Sequence, residues 1–300
     1  PLAMAAFGIA DDIRPVASAF LHGIRWGIPA FTLYLCMRYL SDGLHWSLPT
    51  MVFGFGGLLV LLPFGYVLTF GKFGFPELGA GGLGIASALM MWAQALGFAL
   101  YLSMSKRFAD LGLFSHFERP HAATLKQLLA TGLPIGVTVA MEGGLFIVTA
   151  LLIGRLGPVS SAAHQIAINV ASLAFMIPLG LAEATTVRVG HALGRGDRDG
   201  LRRAAFAGYT LLLLTQTVSA TIMVGGNHAI VGLYTRDAAA AALASSLLLY
   251  AAAFQFPDGV QVVSAGSLRG LKDTRVPMLL AALAYWGIGM PVGATLGFGL

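Results

Sequence analysis

The chain has 300 residues, 57% of them hydrophobic and 10% charged, with a formal net charge of +5. A soluble domain carries roughly 25% charged residues, so this chain cannot clothe a water-facing surface; its apolar runs also exceed the ~18 residues needed to cross a bilayer. The basic residues sit in short segments between those runs, which argues against a nucleic-acid partner, and the single Cys36 excludes an intrachain disulfide or a cysteine zinc site.

In chain order, residues 1–10 read as the tail of an earlier span, and eight further spans are predicted at 15–39, 51–71, 80–104, 124–154, 159–187, 200–225, 238–268 and 276–300. Pro29, Pro63, Pro134, Pro178, Pro257 and Pro291 fall inside them. In a membrane bundle, neighbouring helices can satisfy the backbone groups that such prolines free. The first span also contains Arg25, which could snorkel outward or pair with Asp11 or Asp12.

The loops alternate in charge. One set holds Arg38; Lys106, Arg107, Arg119 and Lys126; Arg188, Arg195, Arg198, Arg202 and Arg203; then Arg269, Lys272 and Arg275. The other holds only Arg14, Lys72, Arg155 and Arg236. The first set is expected to face the cytoplasm.

Residues 63–71, PFGYVLTFG, and 291–299, PVGATLGFG, share the pattern P-x-G-x-x-L-x-F-G at an offset of 228 positions. Pro29 and Pro257, and Pro49 and Pro277, keep that offset; Gly43-Leu44 and Gly270-Leu271 match within one residue. The copies lie six spans apart, an even step, so both enter the membrane the same way. That predicts a parallel repeat with a pseudo-two-fold axis along the membrane normal. Extending it calls for roughly 100 residues before residue 1 and ~35 or more after residue 300, about twelve spans in all. The polar stretch 105–123 reads as the linker between two lobes.

Few charges lie inside spans. Glu142 follows Lys126 by ~24 Å of helix and precedes Arg155 by ~20 Å, near mid-membrane, where a bare carboxylate costs several kcal/mol unless protonated, paired or hydrated. It reads as a cation or proton site, or else as a protonated carboxyl capping a neighbouring helix. Asp258 follows Pro257, which frees a carbonyl on the preceding turn; an acid beside a freed carbonyl suits a hard cation such as sodium, although it could simply repair the kink. His164, Gln165 and Asn169 form a polar cluster that fits either a cavity lining or interhelical hydrogen bonds. Glu183, near Arg188, reads as an interface residue. Phe254, Phe256, Tyr285 and Trp286 could stack on a flat cation or simply pack. No triad spacing, HExxH, phosphate loop or cysteine pair is visible, so no enzymatic activity is expected.

The runs Ala163-His164-Gln165-Ile166-Ala167, Pro178-Leu179-Gly180-Leu181, Val187-Arg188-Val189-Gly190 and Ala192-Leu193-Gly194, with Leu268-Arg269-Gly270-Leu271, Asp273-Thr274-Arg275 and Pro277-Met278, resemble the multidrug and toxic compound extrusion (MATE) family. The resemblance implies an all-α polytopic membrane protein of two six-helix lobes that exports by alternating access, driven by sodium or proton entry. It divides the chain into a partial N-lobe at 1–105 (end of helix 3 to helix 6), a cytoplasmic linker at 106–123 and a C-lobe at 124–300 (helices 7 to 11), with the last helix missing. Glu142 then matches the acid of helix seven, Asp258 that of helix ten and Gln165 a polar cavity residue of helix eight. Phe254 stands where part of the family has an aromatic hydroxyl, a departure from a full sodium ligand set. His164, Asn169 and Trp286 are further candidate lining residues, and Glu142 with Asp258 the candidate sodium ligands. The implied partners are small organic cations and other amphipathic compounds, with membrane lipid around a monomer; no cofactor beyond the coupling ion is expected. The implied location is a bacterial inner membrane. A flippase for lipid-linked oligosaccharides or lipids is the alternative; it would call for a wide basic cavity that can hold phosphates.

Overall fold

Prolines and closely packed glycines shape several of the described helices. The computed structural model describes residues 13–109, 112 and 121–299, and every regular element among them is helical. Seven helices are long and apolar enough to cross a membrane, and outward side chains such as Leu59 (75% exposed), Leu62 (67%) and Leu214 (60%) are hydrophobic. The chain is a multi-pass membrane protein.

Contacts divide it into two units, 1–119 and 120–300. The first holds α1 (Ile13–Ile24), a 3₁₀ turn (Arg25–Gly27), α2 (Ile28–Gly43), α3 (Leu48–Phe70) and α4 (Gly79–Met104). The first span is therefore broken where a continuous helix is predicted. Pro29 has no N–H to send to the Arg25 carbonyl, and the Ile28 N–H takes that carbonyl instead, tightening the turn to 3₁₀ geometry. Trp92 Nε1 donates to the neighbouring Trp26 carbonyl at 2.9 Å. Arg25 lies exposed with its guanidinium 5.2 Å from the Trp26 ring centroid; Asp11 and Asp12 lie outside the described residues, as does the tail proposed for 1–10. The core of this unit joins Ala30, Tyr34, Ala95, Phe98, Leu102 and Phe108. Phe108 belongs to the stretch read as a linker, most of which (110–111 and 113–120) lies outside the described residues.

The second unit holds α5 (Ala122–Gly154), α6 (Pro158–Gly194), α7 (Arg198–Gly225), the short α8 (Asn227–Tyr234), α9 (Ala238–Gly270) and α10 (Arg275–Ala281). An eight-residue π-helix (Ala282–Gly289) then leads into α11 (Met290–Phe298). Asp197 and Asp237 cap α7 and α9, accepting from the N–H of Gly200 and of Ala240, each at 2.7 Å. Neither α8 nor the π segment is predicted from the sequence. The π segment has a local cause in Pro291, which cannot donate to the Gly287 carbonyl, so the ladder shifts register ahead of it.

The repeated motif carries a repeated backbone. Residues His45 and Lys272 both take positive φ (60° and 64°) after helices that end in Gly-Leu. In both turns an i→i−5 bond closes the helix, Trp46 N–H to Ser41 O at 3.0 Å and Asp273 N–H to Leu268 O at 2.9 Å. Downstream, Gly71 and Gly299 both close their helices in the left-handed region, donating to Val67 O and Thr295 O.

Within the second unit, α6 and α9 meet at main-chain distance. Gly266 and Gly270, four residues apart on one face of α9, meet the main chain of α6: a Cβ on Gly266 would stand 2.6 Å from the Ala182 carbonyl oxygen, and one on Gly270 2.7 Å from that of Thr186. Thr186 Oγ1 donates to the Gly266 carbonyl at 2.8 Å. This is the small-xxx-small packing that brings membrane helices together. Replacing Gly266 by Leu should force the backbones apart and cost about 2–3 kcal/mol, read as a lower unfolding midpoint of the purified protein in detergent; an unchanged midpoint would contradict the close approach.

Candidate functional site

The second unit encloses a cavity of about 230 Å³ between four helices. Helical periodicity sets its walls. On α6 the side chains of His164, Ile168, Ala171 and Phe175 follow one another at i, i+4, i+7 and i+11, and on α9 Leu247, Ala251, Phe254 and Asp258 do the same. Helix α5 adds Glu142 and, one turn on, Phe146; α7 adds Gln216 and Met223. The lining is mostly apolar and holds two carboxyls from two different helices, with no Lys or Arg among its residues.

Four of the seven candidate residues meet here: Glu142, His164, Phe254 and Asp258. The other three do not line it. Gln165 is exposed, about 100° around α6 from His164. Asn169 Oδ1 accepts from the Tyr234 hydroxyl at 2.8 Å, tying α8 to α6. Trp286 Nε1 donates to the Met141 carbonyl at 3.1 Å, and its ring packs over Gly144. Trp286 thus fastens the π segment to α5 on either side of Glu142.

Glu142 and Asp258, carried by α5 and α9, both line this cavity. Opposite charge within a few ångströms favours an ionised carboxylate and like charge opposes it, so a cation entering between the two acids would relieve their mutual repulsion. The cavity offers oxygen donors of the kind a hard cation takes; among the described residues no cluster of three or more His, Cys, Asp or Glu forms a tighter metal cage.

Two residues of the wall escape sequence reasoning. Gln216 (2% exposed) and Gln255 (9%) are buried on α7 and α9. Gln216 Nε2 donates to the Gln255 main-chain carbonyl at 3.0 Å, and Gln255 Nε2 returns a long contact, 3.5 Å, to the Gln216 main-chain carbonyl. Gly259 leaves room for this amide, since a Cβ there would stand 2.5 Å from Gln216 Nε2.

The MatE family model matches residues 134–295, a stretch that contains the whole cavity lining. The chain is 69% identical over 294 residues to a "Probable multidrug resistance protein NorM" of Xanthomonas campestris pv. campestris, covering 98% of this chain and 64% of that protein. It is 59% identical over 300 residues to a protein of the same name from Xylella fastidiosa, of which it covers 64%. To "Multidrug resistance protein PmpM" of Pseudomonas aeruginosa it is 45% identical over 278 residues, covering 93% of this chain and 58% of that one. The chain thus spans about two thirds or less of the length of these relatives. Its fold superposes on the crystal structure of the eukaryotic MATE transporter AtDTX14 with a TM-score of 0.86 at 20% identity, over 99% of this chain and 65% of that one.

Replacing Gln216 by Leu removes the donor to the Gln255 carbonyl at nearly constant volume. It should cost about 1–2 kcal/mol of stability, measured as the shift in unfolding midpoint; no shift would show that this bond contributes nothing.

Proposed function

The chain belongs to the MatE family, the multidrug and toxic compound extrusion transporters, and from that premise we propose that it is the greater part of an exporter that drives organic cations out of the cell against entry of sodium or protons. The observation that carries this reading is the pair of carboxyls, Glu142 and Asp258, delivered by α5 and α9 to one largely apolar cavity inside membrane-spanning helices. Ionisable groups at membrane depth are expensive and mark ion or substrate pathways. Phe146, Phe175 and Phe254 add aromatic faces for a flat cation.

The mechanism is competition. With Glu142 and Asp258 ionised, the cavity attracts a cationic cargo. A proton or sodium ion arriving from outside neutralises the pair and lowers the cavity's affinity for that cargo. Alternating access follows if the two loaded forms favour different conformations, because a ligand shifts such an equilibrium only by its differential affinity for the two states. The basic loops face the cytoplasm of a bacterial inner membrane in this scheme, and the protein needs no cofactor besides the coupling ion. A flippase for phosphate-bearing lipids finds no support in a lining that has two acids and neither Lys nor Arg.

The test uses the full-length protein in sealed vesicles, following efflux of a fluorescent organic cation under an imposed sodium gradient and then a proton gradient. Glu142→Gln and Asp258→Asn should each reduce gradient-driven efflux at least tenfold while the protein remains in the membrane, and the gradient that drives the wild type identifies the ion. Efflux unchanged in Glu142→Gln would refute the assignment.

A further inference from the structure

A second hollow of the second unit, about 440 Å³, lies between α6, α7 and α8. Ala174 on α6 and Ser219 on α7 leave its space between larger neighbours. Ile177, Leu214, Val218 and Ile222 border it and are exposed, so it is a groove open to the outside of the bundle. It reaches inward to the buried Met223, which also lines the cavity of the candidate site. No charged side chain enters the lining, and Thr215 gives its hydroxyl to the Leu211 carbonyl of its own helix at 2.9 Å. Helix α7 is long and apolar enough to cross the membrane and ends at Gly225. From Ile222 to Leu214 the groove runs from ~4 Å to ~16 Å inside that end, which is the depth of the acyl tails of one leaflet, ~15 Å.

An empty hollow forfeits dispersion contacts along all its walls, and one lined by aliphatic side chains stays dry. The rim also disfavours a further helix. Membrane helices approach one another through small residues, as Gly266 and Gly270 do on α9, whereas Leu214, Val218 and Ile222 present a row of branched side chains at i, i+4 and i+8. What remains at this depth is hydrocarbon. We propose that the groove is an acyl-chain site, in which one tail of a phospholipid of the adjoining leaflet lies against α6, α7 and Ile230 of α8 together. Helix α8 is pinned at both ends, through Asn227 Nδ2 on the Ser245 carbonyl at 2.9 Å and the Tyr234 hydroxyl on Asn169 Oδ1 at 2.8 Å, so the end of the groove that it forms is a fixed one. The lining selects a hydrocarbon chain and not a headgroup. Met223 belongs to both linings, so the tail and the candidate site meet across one side chain. The proposal is independent of what the cavity carries.

The experiment places the full-length protein in bilayers doped with a phosphatidylcholine that carries a diazirine midway along one acyl chain. After irradiation, the adducts are mapped by peptide mass spectrometry. Leu213 and Val224, exposed on other faces of α7 and bracketing the same depth, report ordinary contact with surrounding lipid. In the wild type, adducts on Ile177, Leu214, Val218 and Ile222 should exceed those on the two reporters by about fivefold. Ser219→Phe, which fills the groove from α7, and Ala174→Leu, which fills it from α6, should each bring the two sets level. Equal labelling of groove and reporters in the wild type would show only the general lipid coat and would overturn the proposal. So would labelled reporters beside an unlabelled groove, the result expected if another protein segment covers it. An excess that persists in the filled variants would overturn it as well. The wild-type distribution decides between these outcomes without any variant having to fold.

Discussion

The backbone contact between α6 and α9 is the constraint from which the rest of the second unit follows. Hydrocarbon offers helices no hydrophobic reason to associate, so they are held by close packing and by the few polar bonds they can make. Gly266 and Gly270 let α9 touch α6 at main-chain distance, and Thr186 adds a hydrogen bond across the seam. With the pair locked, the faces carrying His164 to Phe175 and Leu247 to Asp258 are fixed in register. Helices α5 and α7 then complete the walls around them.

The polar groups of this bundle are divided between two tasks. Some are spent on holding helices together: Asn227 Nδ2 on the Ser245 carbonyl at 2.9 Å, Tyr209 with Ser264 at 2.7 Å, Tyr234 on Asn169. The others, Glu142, His164 and Asp258, line the cavity. A polar side chain in a membrane is costly in either place, which sharpens the contrast between those that join helices and those that line the cavity.

Much of this was legible in the sequence. A carboxyl well inside an apolar run stands out, so Glu142, ~24 Å and ~20 Å of helix from the flanking basic residues, and Asp258, ~16 Å from Arg269 and directly after Pro257, could be singled out from the sequence. The span limits follow from hydropathy to within a few residues for α3 to α5. What could not be read was orientation about each helix axis. Gln165 and His164 are adjacent in sequence but one residue turns the wall by about 100°, and only the packing of α6 says which of them faces inward. Gln216 and Gln255 look like any polar residue inside a span until α7 and α9 are brought together. The break at Arg25 depends on Ile28 taking a carbonyl that Pro29 left open, and the π segment depends on a ladder shift ahead of Pro291, both of which are choices among backbone bonds that a proline permits without dictating.

The duplicated turns around His45 and Lys272 separate ancestry from task. Their main-chain bonds and left-handed residues coincide although the sequences, Gly-Leu-His-Trp and Gly-Leu-Lys-Asp, have drifted apart. Yet from Pro29 to Gly43 is fourteen residues and from Pro257 to Gly270 thirteen, so relative to the shared turn the two helices present faces about 100° apart. Where the second copy places Asp258 directly after its proline, the first has Ala30, fully buried in an aromatic core. The duplication has thus kept a scaffold and shed an equivalence: after the proline, one copy carries the carboxyl of Asp258 into a cavity, and the other a buried alanine in an aromatic core.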